Sequence, residues 1–484
     1  MITRLRVNGF KNLREVDLHF SEFTCIAGPN GAGKSNLFDA IQFLSLTASK
    51  TLLEAALAIR ADGAMSSDPV HVFCFDQPVG SRRIDFIVDM IVPKLAHDDL
   101  NQQAQATFTF LTYELSIIEK SAVSGESGLQ IVKESLTYHS WSKAAGLLPF
   151  RHSPTWRDSL MQERKGGRRD YFISTKEEDG KTVIQRHQDG GGSRGKPYPY
   201  LASNLPRTVL SIANATEAPT ALCAKREMES WSFLALEASS LRAPDDFTEP
   251  NIMDAHGRHM PATLHRLIQT PGLGPVVADS IAQRLTELVE NVKGIRVDPD
   301  PVRRAYSILV ADHSGNEVPA RGLSDGTLRF LALAILEQDP LVTGVICLEE
   351  PENGIHPKRL PAMIALLRDI AVDTHERCGD DNPLRQIIIN THSPSVVSEV
   401  PDDSLVIAVD RTANYRDRLV HTPSFLGLPG TWRERVSDQC VARGLLIPYL
   451  NPIRVKQQDQ RNPNRVVDRE DLQLLLPQLE EVDK

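Results

Sequence analysis

A glycine-rich segment near the start of the chain has the residue types needed to hold a nucleotide phosphate. Its sequence is GPNGAGKSN, and Gly28, Gly33, Lys34 and Ser35 occupy the four fixed positions of the pattern G-x-x-x-x-G-K-[ST]. Glycines allow backbone N–H groups to close around phosphate oxygens, and the N-terminus of a following helix adds a positive dipole end. We therefore predict that Lys34 contacts the β- and γ-phosphates and that Ser35 is a ligand of Mg²⁺.

The flanking residues support this interpretation over a chance glycine-rich turn. An apolar strand is predicted at Phe23 to Ala27, and an amphipathic helix is predicted to follow through Leu37, Ile41 and Leu44. A strand, a glycine-rich loop and a helix in this order are the context in which the pattern binds phosphate. The remaining contacts to the nucleotide are assigned to three more residues of the loop: Asn30, Gly31 and Asn36.

A second segment, VICLEEPENGIHP, supplies paired carboxylates. The run from Val345 to Leu348 is apolar throughout, as expected of a central strand in a parallel sheet that is covered on both faces. Ligands of open α/β sheets bind at the carboxyl ends of the strands, where Glu349 and Glu350 stand. We predict that Glu349 acts on the Mg²⁺ ion and Glu350 on the attacking water. Taken alone, the pair would equally fit a strand that meets solvent.

Two further segments end in polar groups suited to a phosphate. Leu323-Ser324-Asp325-Gly326-Thr327 precedes an apolar helix, so Ser324 and the next amides could form an anion-binding helix start. QIIINTHSP reads as another buried strand, ending in Asn390, Thr391 and His392. A histidine at this place can hydrogen-bond a γ-phosphate. In isolation, Ser324 would be an ordinary helix cap and His392 a turn residue.

The order of these four motifs resembles that of ABC-type ATPase heads of the RecF, SMC and OLD families. The opening MITRLRVNGFKNLREVDLHF, with FKNL at positions 10–13, is similar to the start of RecF-like and OLD-like ATPases. The resemblance covers roughly the first fifty residues and then about 296–410. It implies an α/β fold, namely an ABC-type P-loop ATPase head with a mixed central sheet, an antiparallel β layer and an inserted helical lobe.

The resemblance also implies roles for the motif residues. ATP with Mg²⁺ is the expected cofactor, and Ser324, Asp325 and Gly326 are expected to close over ATP held by Lys34 of a second protomer. Glu350 is then the catalytic base and His392 the switch histidine. A homodimer or higher oligomer follows, together with a separately encoded nuclease or other effector protein as partner.

Several positions depart from the common pattern of such heads. Glu349 replaces the usual aspartate, Asp325 replaces a glycine after the serine, and His356 stands near the usual aspartate of the dimer loop. Glu349 is one methylene longer than aspartate, which should alter the distance to Mg²⁺. Gln77, after the strand-like HVFCFD, is the candidate for the glutamine that couples the metal to the partner-contacting lobe.

Composition limits the classes of partner. The 484 residues carry a net charge of −9 and contain no apolar run long enough to cross a bilayer, so we expect a cytoplasmic protein without a membrane partner. DNA binding would require a local basic patch. The candidate lies between 151 and 196, with the alternative of a solvated loop. It comprises Arg157, Arg164, Lys165, Arg168, Arg169, Arg186, Arg194 and Lys196, with Trp156, Tyr171 and the glycines at 190–192. The six cysteines form no metal-spaced cluster, so no structural metal is predicted.

The pattern along the chain predicts four parts. Alternating residues at 70–136 indicate an antiparallel layer, and the polar segment at 141–206 indicates a loop-rich insertion. Helical spacing at 261–292 indicates a helical lobe, on the evidence of Leu264, Leu267, Val276, Ile281, Leu285 and Leu288. The predicted parts are an N-terminal ATPase half at 1–140, the insertion and helical lobe at 141–295, a C-terminal ATPase half at 296–410 and an extension at 411–484.

The C-terminal part distinguishes between relatives. An OLD nuclease would continue into a Toprim domain with clustered acids, whereas Asp410 here stands alone and is interpreted as a strand-end residue. A helical stretch is predicted at 436–450, and LQLLLPQLEEV is a candidate docking helix. We predict an ATPase that dimerises on ATP and controls a DNA-acting partner in antiphage defence or DNA repair. The alternatives are an assembly head that hydrolyses little ATP and a transport ATPase.

Overall fold

The computed structural model describes most of the chain. The described residues are 1–59, 68–75, 77–78, 80–120, 128–163, 171–189, 195–272, 274–289, 292–415, 418–437 and 440–442.

Strands and helices alternate irregularly along the chain. The strands are β1 Ile2–Asn8, β2 Val16–His19, β3 Phe23–Ala27, β4 Arg83–Ile91, β5 Leu95–His97, β6 Gln103–Gln105, β7 Phe110–Lys120, β8 Gly128–Tyr138, β9 Tyr171–Glu178, β10 Lys181–Arg186, β11 Tyr198–Leu201, β12 Ser232–Leu234, β13 Asp245–Asp246, β14 Val292–Asp300, β15 Ala305–Asp312, β16 Glu317–Pro319, β17 Gly344–Glu349, β18 Arg385–Thr391, β19 Leu405–Tyr415 and β20 Arg418–Gly427. The helices are α1 Lys34–Thr47, α2 Leu52–Ala58, α3 Trp141–Leu147, α4 Pro154–Leu160, α5 Pro219–Glu229, α6 Ala238–Arg242, α7 Met260–Ile268, α8 Gly274–Thr286, α9 Asp325–Gln338, α10 Leu360–Ile370 and α11 Pro394–Glu399.

The central sheet is mixed, as predicted. Its six strands run in the order β12-β17-β18-β3-β19-β20, and all neighbours are parallel except the final pair, β19 and β20. Strands β17, β18 and β3 come from distant parts of the chain, yet they pair in register so that their carboxyl ends share one edge. This edge collects the phosphate loop and the carboxylate pair.

Both faces of the central sheet are covered, which explains its unbroken apolar runs. On β17, Val345 and Cys347 pack into one hydrophobic core, whereas Ile346 and Leu348 pack into another. The first core is shared with α1, α2 and α5, and the second with α7, α8, α9, α10 and α11. Alternate side chains of a strand point to opposite faces, so each run feeds both cores.

The antiparallel layer is larger than predicted. Eight strands run in the order β11-β10-β9-β8-β7-β4-β1-β2, and every neighbouring pair is antiparallel. The prediction of a loop-rich insertion at 141–206 is therefore wrong in part, because β9, β10 and β11 extend this sheet and α3 and α4 precede them. The polar residues that suggested a loop lie on these outer strands, where Tyr171, Glu177, Glu178 and Lys181 are not buried.

The helical lobe is present as α7 and α8, beside a small sheet of β13, β14, β15 and β16. Most of the predicted apolar positions are buried, among them Leu264, Leu267, Ile281 and Leu285. Val276 is an exception, with an exposed fraction of 60%. It lies near the start of α8, one position away from the buried stripe that contains Val277.

The segment after 410 begins as a hairpin and not as a strand end. Strand β19 continues through Asp410 to residue 415 and returns as β20, so the interpretation of Asp410 as a strand-end residue is wrong. Its carboxylate lies 2.7 Å from Nδ1 of His421 on the returning strand. Of the helix predicted at 436–450, residues 436–437 and 440–442 are not helical and the others lie outside the described residues, as does LQLLLPQLEEV.

No helix in the described ranges combines the length and apolar character needed to cross a bilayer.

Burial of His19 on β2 predicts a loss of stability in mild acid. Burial and the nearby Arg4 lower the pKa of His19 to about 4, below the ordinary value of 6.5. Between these values the unfolded chain binds a proton that the folded chain does not, so the free energy of unfolding falls as pH drops below 6.5. We expect this loss to approach about 1 kcal/mol per pH unit and to be absent from His19→Gln. Urea unfolding at pH 7, 6 and 5 measures it, with exposed His313→Gln as the control; equal slopes for all three proteins would contradict the prediction.

Candidate functional site

The phosphate loop connects β3 to α1 at the shared edge of the central sheet. Gly31 and Gly33 adopt φ angles of 81° and 80°, in the left-handed region that glycine enters without strain. A Cβ on Gly28 would lie 2.5 Å from the carbonyl oxygen of Ala408, and a Cβ on Gly33 would lie 2.7 Å from Pro423. The glycines are therefore required both for the turn and for close packing against β19 and β20.

The loop presents a helix start without a competing side chain. Helix α1 begins at Lys34, and its cap residue Gly33 supplies no side-chain acceptor for the first amides. The first turn also contains no acidic residue. Its N–H groups and dipole are consequently available to an anion, which fits the predicted phosphate site.

Lys34 lies folded over this loop. Its Nζ donates to the carbonyl oxygens of Gly28 at 2.6 Å and Pro29 at 2.9 Å, and the residue is 7% exposed. Burial lowers the pKa of the ammonium, and the carboxylates of Glu350 and Glu349 partly oppose this effect. The cation is thus desolvated and held against weak carbonyl partners, so that a phosphate would be a stronger one.

The FKNL segment packs directly against the first turns of α1. Phe10 is buried and packs against Phe43 of α1, with the rings tilted and their centroids 5.7 Å apart. The Nζ of Lys11 lies 2.7 Å from Asp39. The side-chain amides of Asn36 and Asn12 are joined by a hydrogen bond of 2.7 Å, donated by Asn36. Asn36 is therefore engaged with the protein, and its predicted contact with nucleotide stays a prediction.

One strand, β18, separates the strand that ends in the paired carboxylates from the strand that leads into the phosphate loop. Glu349 ends β17 opposite Asn390 of β18, and the Asn390 amide donates to its Oε1 at 3.2 Å. Glu350 has a φ of 46°, which turns the chain sharply after the strand. Its backbone N–H is held by the carbonyl of Asn390 at 3.0 Å. The strand therefore ends at Glu349, and the chain turns at Glu350.

Glu350 and His392 form a pair, which the sequence alone did not establish. Nδ1 of His392 lies 2.7 Å from Oε1 of Glu350, and the amide of Asn353 donates to Oε2 at 3.0 Å. Burial raises the pKa of Glu350, but the bonds from Asn353 and His392 and the charge of Lys34 outweigh it, so the pKa lies below its usual value. Glu350 is accordingly ionised at neutral pH and able to accept a proton.

The LSDGT segment has the geometry predicted from its sequence. Ser324 caps α9, and its Oγ accepts the N–H of Thr327 at 3.2 Å. A Cβ on Gly326 would lie 2.2 Å from the carbonyl oxygen of Gly354, so the helix start packs directly on the loop that follows β17. Asp325 is paired with Arg242.

A surface cleft opens beside this helix start. It is lined by Ser324, Gly326 and Thr327 together with His356, Lys358 and Arg359. His356 caps the short turn at 357–359, and its Nδ1 accepts the N–H of Lys358 at 3.2 Å. The position that usually holds an aspartate therefore lies beside two cations that line this cleft, Lys358 and Arg359.

Gln77 has contacts other than those expected of a coupling glutamine. Its side-chain oxygen accepts the N–H of Arg83 at 2.7 Å, and its amide nitrogen donates to the carbonyl of Arg83 at 3.2 Å. Both polar atoms of the side chain thus bind the start of β4. Its assignment to metal coupling stays a prediction.

The candidate basic patch is not supported by its described members. Trp156 is fully buried, and Arg186 is buried in an ion pair with Glu217, so neither is presented to a phosphate backbone. Arg157 is partnered by Asp158, while Tyr171 and Lys196 are exposed. Arg164, Lys165, Arg168, Arg169, Arg194 and the glycines at 190–192 lie outside the described residues.

The residues at the sheet edge suit ATP and Mg²⁺. Ser35 and Glu349 offer a hydroxyl and a carboxylate, the hard oxygen ligands that Mg²⁺ prefers, and the glycine cradle leaves room for phosphate oxygens. The six cysteines form no disulfide. Among the described residues, one His/Asp/Glu group is close enough to share an ion: Asp245, Glu249 and His259 in the helical lobe. His259 Nδ1 lies 3.5 Å from Glu249 and 3.8 Å from Asp245. The absence of a structural metal stays a prediction.

Four polar residues at the candidate site were given no role by sequence reasoning: Asn12, Asn353, Asn390 and Glu352. Each is a polar residue inside a segment that was recognised. Three of them bond residues distant in sequence, as when Asn390 binds Glu349 and Glu352 binds Thr391, whereas Asn353 binds Glu350 three positions away. Only their location within the motifs could have drawn attention to them.

Two family models match separate parts of the chain. The model described as "RecF/RecN/SMC N terminal domain" matches residues 1–59, which contain the phosphate loop. The model described as "AAA domain, putative AbiEii toxin, Type IV TA system" matches residues 225–398, which contain LSDGT, the paired carboxylates and His392. The two matches together contain all four motifs.

Curated relatives align over short stretches. The DNA replication and repair protein RecF of Bacteroides fragilis is 46% identical over 46 residues, which are 9% of this chain and 12% of that protein. RecF of Phocaeicola vulgatus is 32% identical over 85 residues, 15% of this chain and 23% of that protein. Structural maintenance of chromosomes protein 1 of Schizosaccharomyces pombe is 53% identical over 45 residues, 9% of this chain and 4% of that protein. The chain thus aligns with less than a quarter of each of these relatives.

Solved structures of SMC heads resemble the chain over most of its length. The SmcHead bound to the C-winged helix domain of ScpA has a TM-score of 0.43 at 13% identity, covering 88% of this chain and 98% of that one. The SMC head domain from Thermotoga maritima has a TM-score of 0.35 at 12% identity, with the same coverage.

Proposed function

We propose that this chain, which is an ABC-type ATPase head of the RecF/SMC kind, binds and hydrolyses ATP between two of its copies and thereby controls a DNA-acting partner. Lys34 and the loop glycines hold the phosphates on one protomer. Ser324, Asp325 and Gly326 of the other protomer close over the same nucleotide. ATP binding joins the two heads, and hydrolysis separates them.

The observation that carries the proposal is the Glu350–His392 pair at the edge that also holds the phosphate loop. A carboxylate ionised at neutral pH, with an imidazole 2.7 Å from it, is the arrangement of a general base and its orienting group. It stands beside Lys34, whose charge acts on Glu350. A site that only bound nucleotide would not need this pair.

The residues divide the hydrolysis step among them. Ser35 and Glu349 would hold Mg²⁺, which neutralises charge on the phosphate oxygens when bound. Glu350 accepts a proton from the attacking water while the water oxygen bonds to the γ-phosphorus. The bond from that phosphorus to the β-γ bridging oxygen then breaks, and ADP leaves. Lys34 binds the charge that develops on the phosphates, and His392 orients Glu350 and senses loss of the γ-phosphate.

A negative charge introduced at position 324 tests whether ATP binds between two copies of the chain. Ser324→Asp retains a good helix cap but places a negative charge toward the partner's phosphates, whereas Ser324→Asn is a neutral cap of the same size. We expect the Asp variant to bind Mg-ATP within about threefold of the parent and to lose ATP-dependent dimers and ATPase activity by about tenfold or more relative to Asn. Light scattering with and without Mg-ATP measures the dimer. Equal dimerisation and turnover of the two variants would refute the two-copy site.

The proposed partner role rests on the matched families and not on a contact in the molecule. One matched family is named for an AbiEii toxin of a type IV TA system, and the curated relatives include RecF proteins of DNA replication and repair. A head that works with a separately encoded nuclease or effector, in antiphage defence or repair, fits both descriptions. OLD-like heads and a cytoplasmic location remain part of this proposal.

An assembly head with little hydrolysis is the second candidate, because such a head needs the phosphate loop and Ser324 but not an active Glu350. A transport ATPase is less well supported, since the segment at 323–327 is LSDGT and not a glycine-rich LSGGQ type.

A further inference from the structure

A third carboxylate lies at the same edge of the sheet and has no role in the scheme above. Glu352 lies two positions after Glu350, and its Oε1 accepts a hydrogen bond from the hydroxyl of Thr391. Its Oε2 is buried without a hydrogen-bond partner. A buried acceptor left unpaired is unfavourable, and such exceptions in folded proteins call for an explanation.

Backbone hydrogen bonds position Glu352 at this edge of the sheet. The left-handed Glu350 turns the backbone after β17, and the N–H of Asn353 closes the turn on the carbonyl of Glu350 at 3.1 Å. Pro351 is buried, and the N–H of Ile355 donates to the carbonyl of Glu352 at 2.9 Å. The carboxylate is therefore directed inward by backbone bonds on both sides of it.

The partner of Glu352 connects the other parts of the site. Thr391 is fully buried at the end of β18, and its carbonyl accepts the N–H of Gly28 at 3.2 Å. Its hydroxyl oxygen also accepts the N–H of Ser393 at 2.9 Å, which fixes the turn that carries His392. One threonine thus joins the phosphate loop to the histidine that contacts Glu350.

The electrostatic surroundings of Glu352 contain the charged groups of the site. Burial raises its pKa, the Thr391 bond opposes this, and the charges of Glu350 and His392 act in opposite directions. Cys25 lies on β3, and burial and, to a smaller extent, the charge of Glu352 raise the pKa of its thiol. The charge of Glu352 also opposes the lowering of the Lys34 pKa by burial. A residue present only to fill space would be apolar here.

We propose that Glu352 is a positioning residue for hydrolysis: by accepting the Thr391 hydroxyl bond, it aligns the phosphate loop with the Glu350–His392 pair. This inference rests on the proposed function. The role requires a hydrogen-bond acceptor at Oε1 and does not require a negative charge. It should therefore affect turnover more than nucleotide binding.

A double-mutant cycle tests the proposal. Glu352→Ala and Thr391→Val each remove the bond, and Thr391→Val also removes the acceptor of the Ser393 N–H. We expect each to lower kcat for ATP by about 10- to 100-fold, with the larger loss for Thr391→Val, since small misplacements of reacting groups cost this much. The KM for ATP should stay within about threefold. Because both changes remove the same bond, the double variant should be no slower than the slower single variant. Glu352→Gln keeps an acceptor oxygen and should retain kcat within about fivefold.

The outcomes are separable. Additive losses in the cycle, or a Glu352→Gln variant as slow as Glu352→Ala, would overturn the positioning role. Should Glu352→Ala fail to fold, as judged by its melting temperature, Thr391→Val and Glu352→Gln still decide between the outcomes. Absence of Mg-ATP hydrolysis by the parent protein would instead reject the proposed function, and this inference with it.

Discussion

Replacing Glu350 with glutamine is expected to lower the kcat of ATP hydrolysis by about 10²- to 10⁴-fold, the usual contribution of a positioned general base. The amide oxygen can still accept the hydrogen bond that His392 Nδ1 makes at 2.7 Å, so the pair keeps much of its geometry. What is lost is the charge that accepts a proton from water. Because hydrolysis is the step that separates the heads, the Glu350→Gln protein should accumulate as an ATP-bound dimer.

The measurement is ATP turnover together with the fraction of dimer at saturating Mg-ATP. Exposed Glu376 provides a matched control, since Glu376→Gln removes the same charge far from the site and should change neither quantity. The assembly-head alternative predicts an unchanged dimer fraction and little activity to lose, so that result would favour it. The trapped dimer is also the form in which we expect a nuclease or effector to copurify.

Replacing Lys34 with alanine is expected to weaken Mg-ATP binding by about 10- to 100-fold, as loss of a charge-assisted bond to phosphate would. Lys34 is buried and bonded only to the carbonyls of Gly28 and Pro29 among the contacts that the structure shows, so its removal sacrifices little packing. Stability should change less than binding. Turnover should become undetectable, because phosphates that are not held cannot be aligned with Glu350.

Isothermal titration of Mg-ATP measures this loss, with melting temperature as the check on folding. Lys50 lies exposed just beyond the end of α1, and Lys50→Ala removes an equal charge without touching the loop. A Lys34→Ala protein that binds ATP as tightly as Lys50→Ala would place the nucleotide elsewhere. It would also remove the basis for the two-copy site.

The sequence determined the local parts of this site. A glycine pattern between a strand and a helix specifies a phosphate loop because only glycine adopts the φ angles near 80° that Gly31 and Gly33 show. Continuous apolar runs at 345–348 and 387–389 specify buried parallel strands, and Ser324 specifies a helix cap. These features depend on neighbours in the chain, so the sequence contains all the information they need.

The antiparallel layer contains strands that the local sequence pattern did not predict. Strands β9, β10 and β11 lie at one side of their sheet and carry many polar residues, so their pattern was read as a loop. Pairing makes them strands: β8 pairs with β9, β9 with β10 and β10 with β11. The charge run at 151–196 misled in the same way, because burial of Arg186 depends on Glu217, which no spacing rule connects to it.

Only the tertiary structure decided which polar groups meet. Pairing of β17, β18 and β3 brings Glu350, His392 and Gly28 to one edge, although they lie far apart in the chain. The same pairing brings Glu352 to the hydroxyl of Thr391. Hydrogen bonds act over about 3 Å, whereas sequence patterns report only on the few residues that share a turn or strand. The chemical type of each side chain therefore follows from the sequence, whereas the pairing of the strands decides which side chains meet.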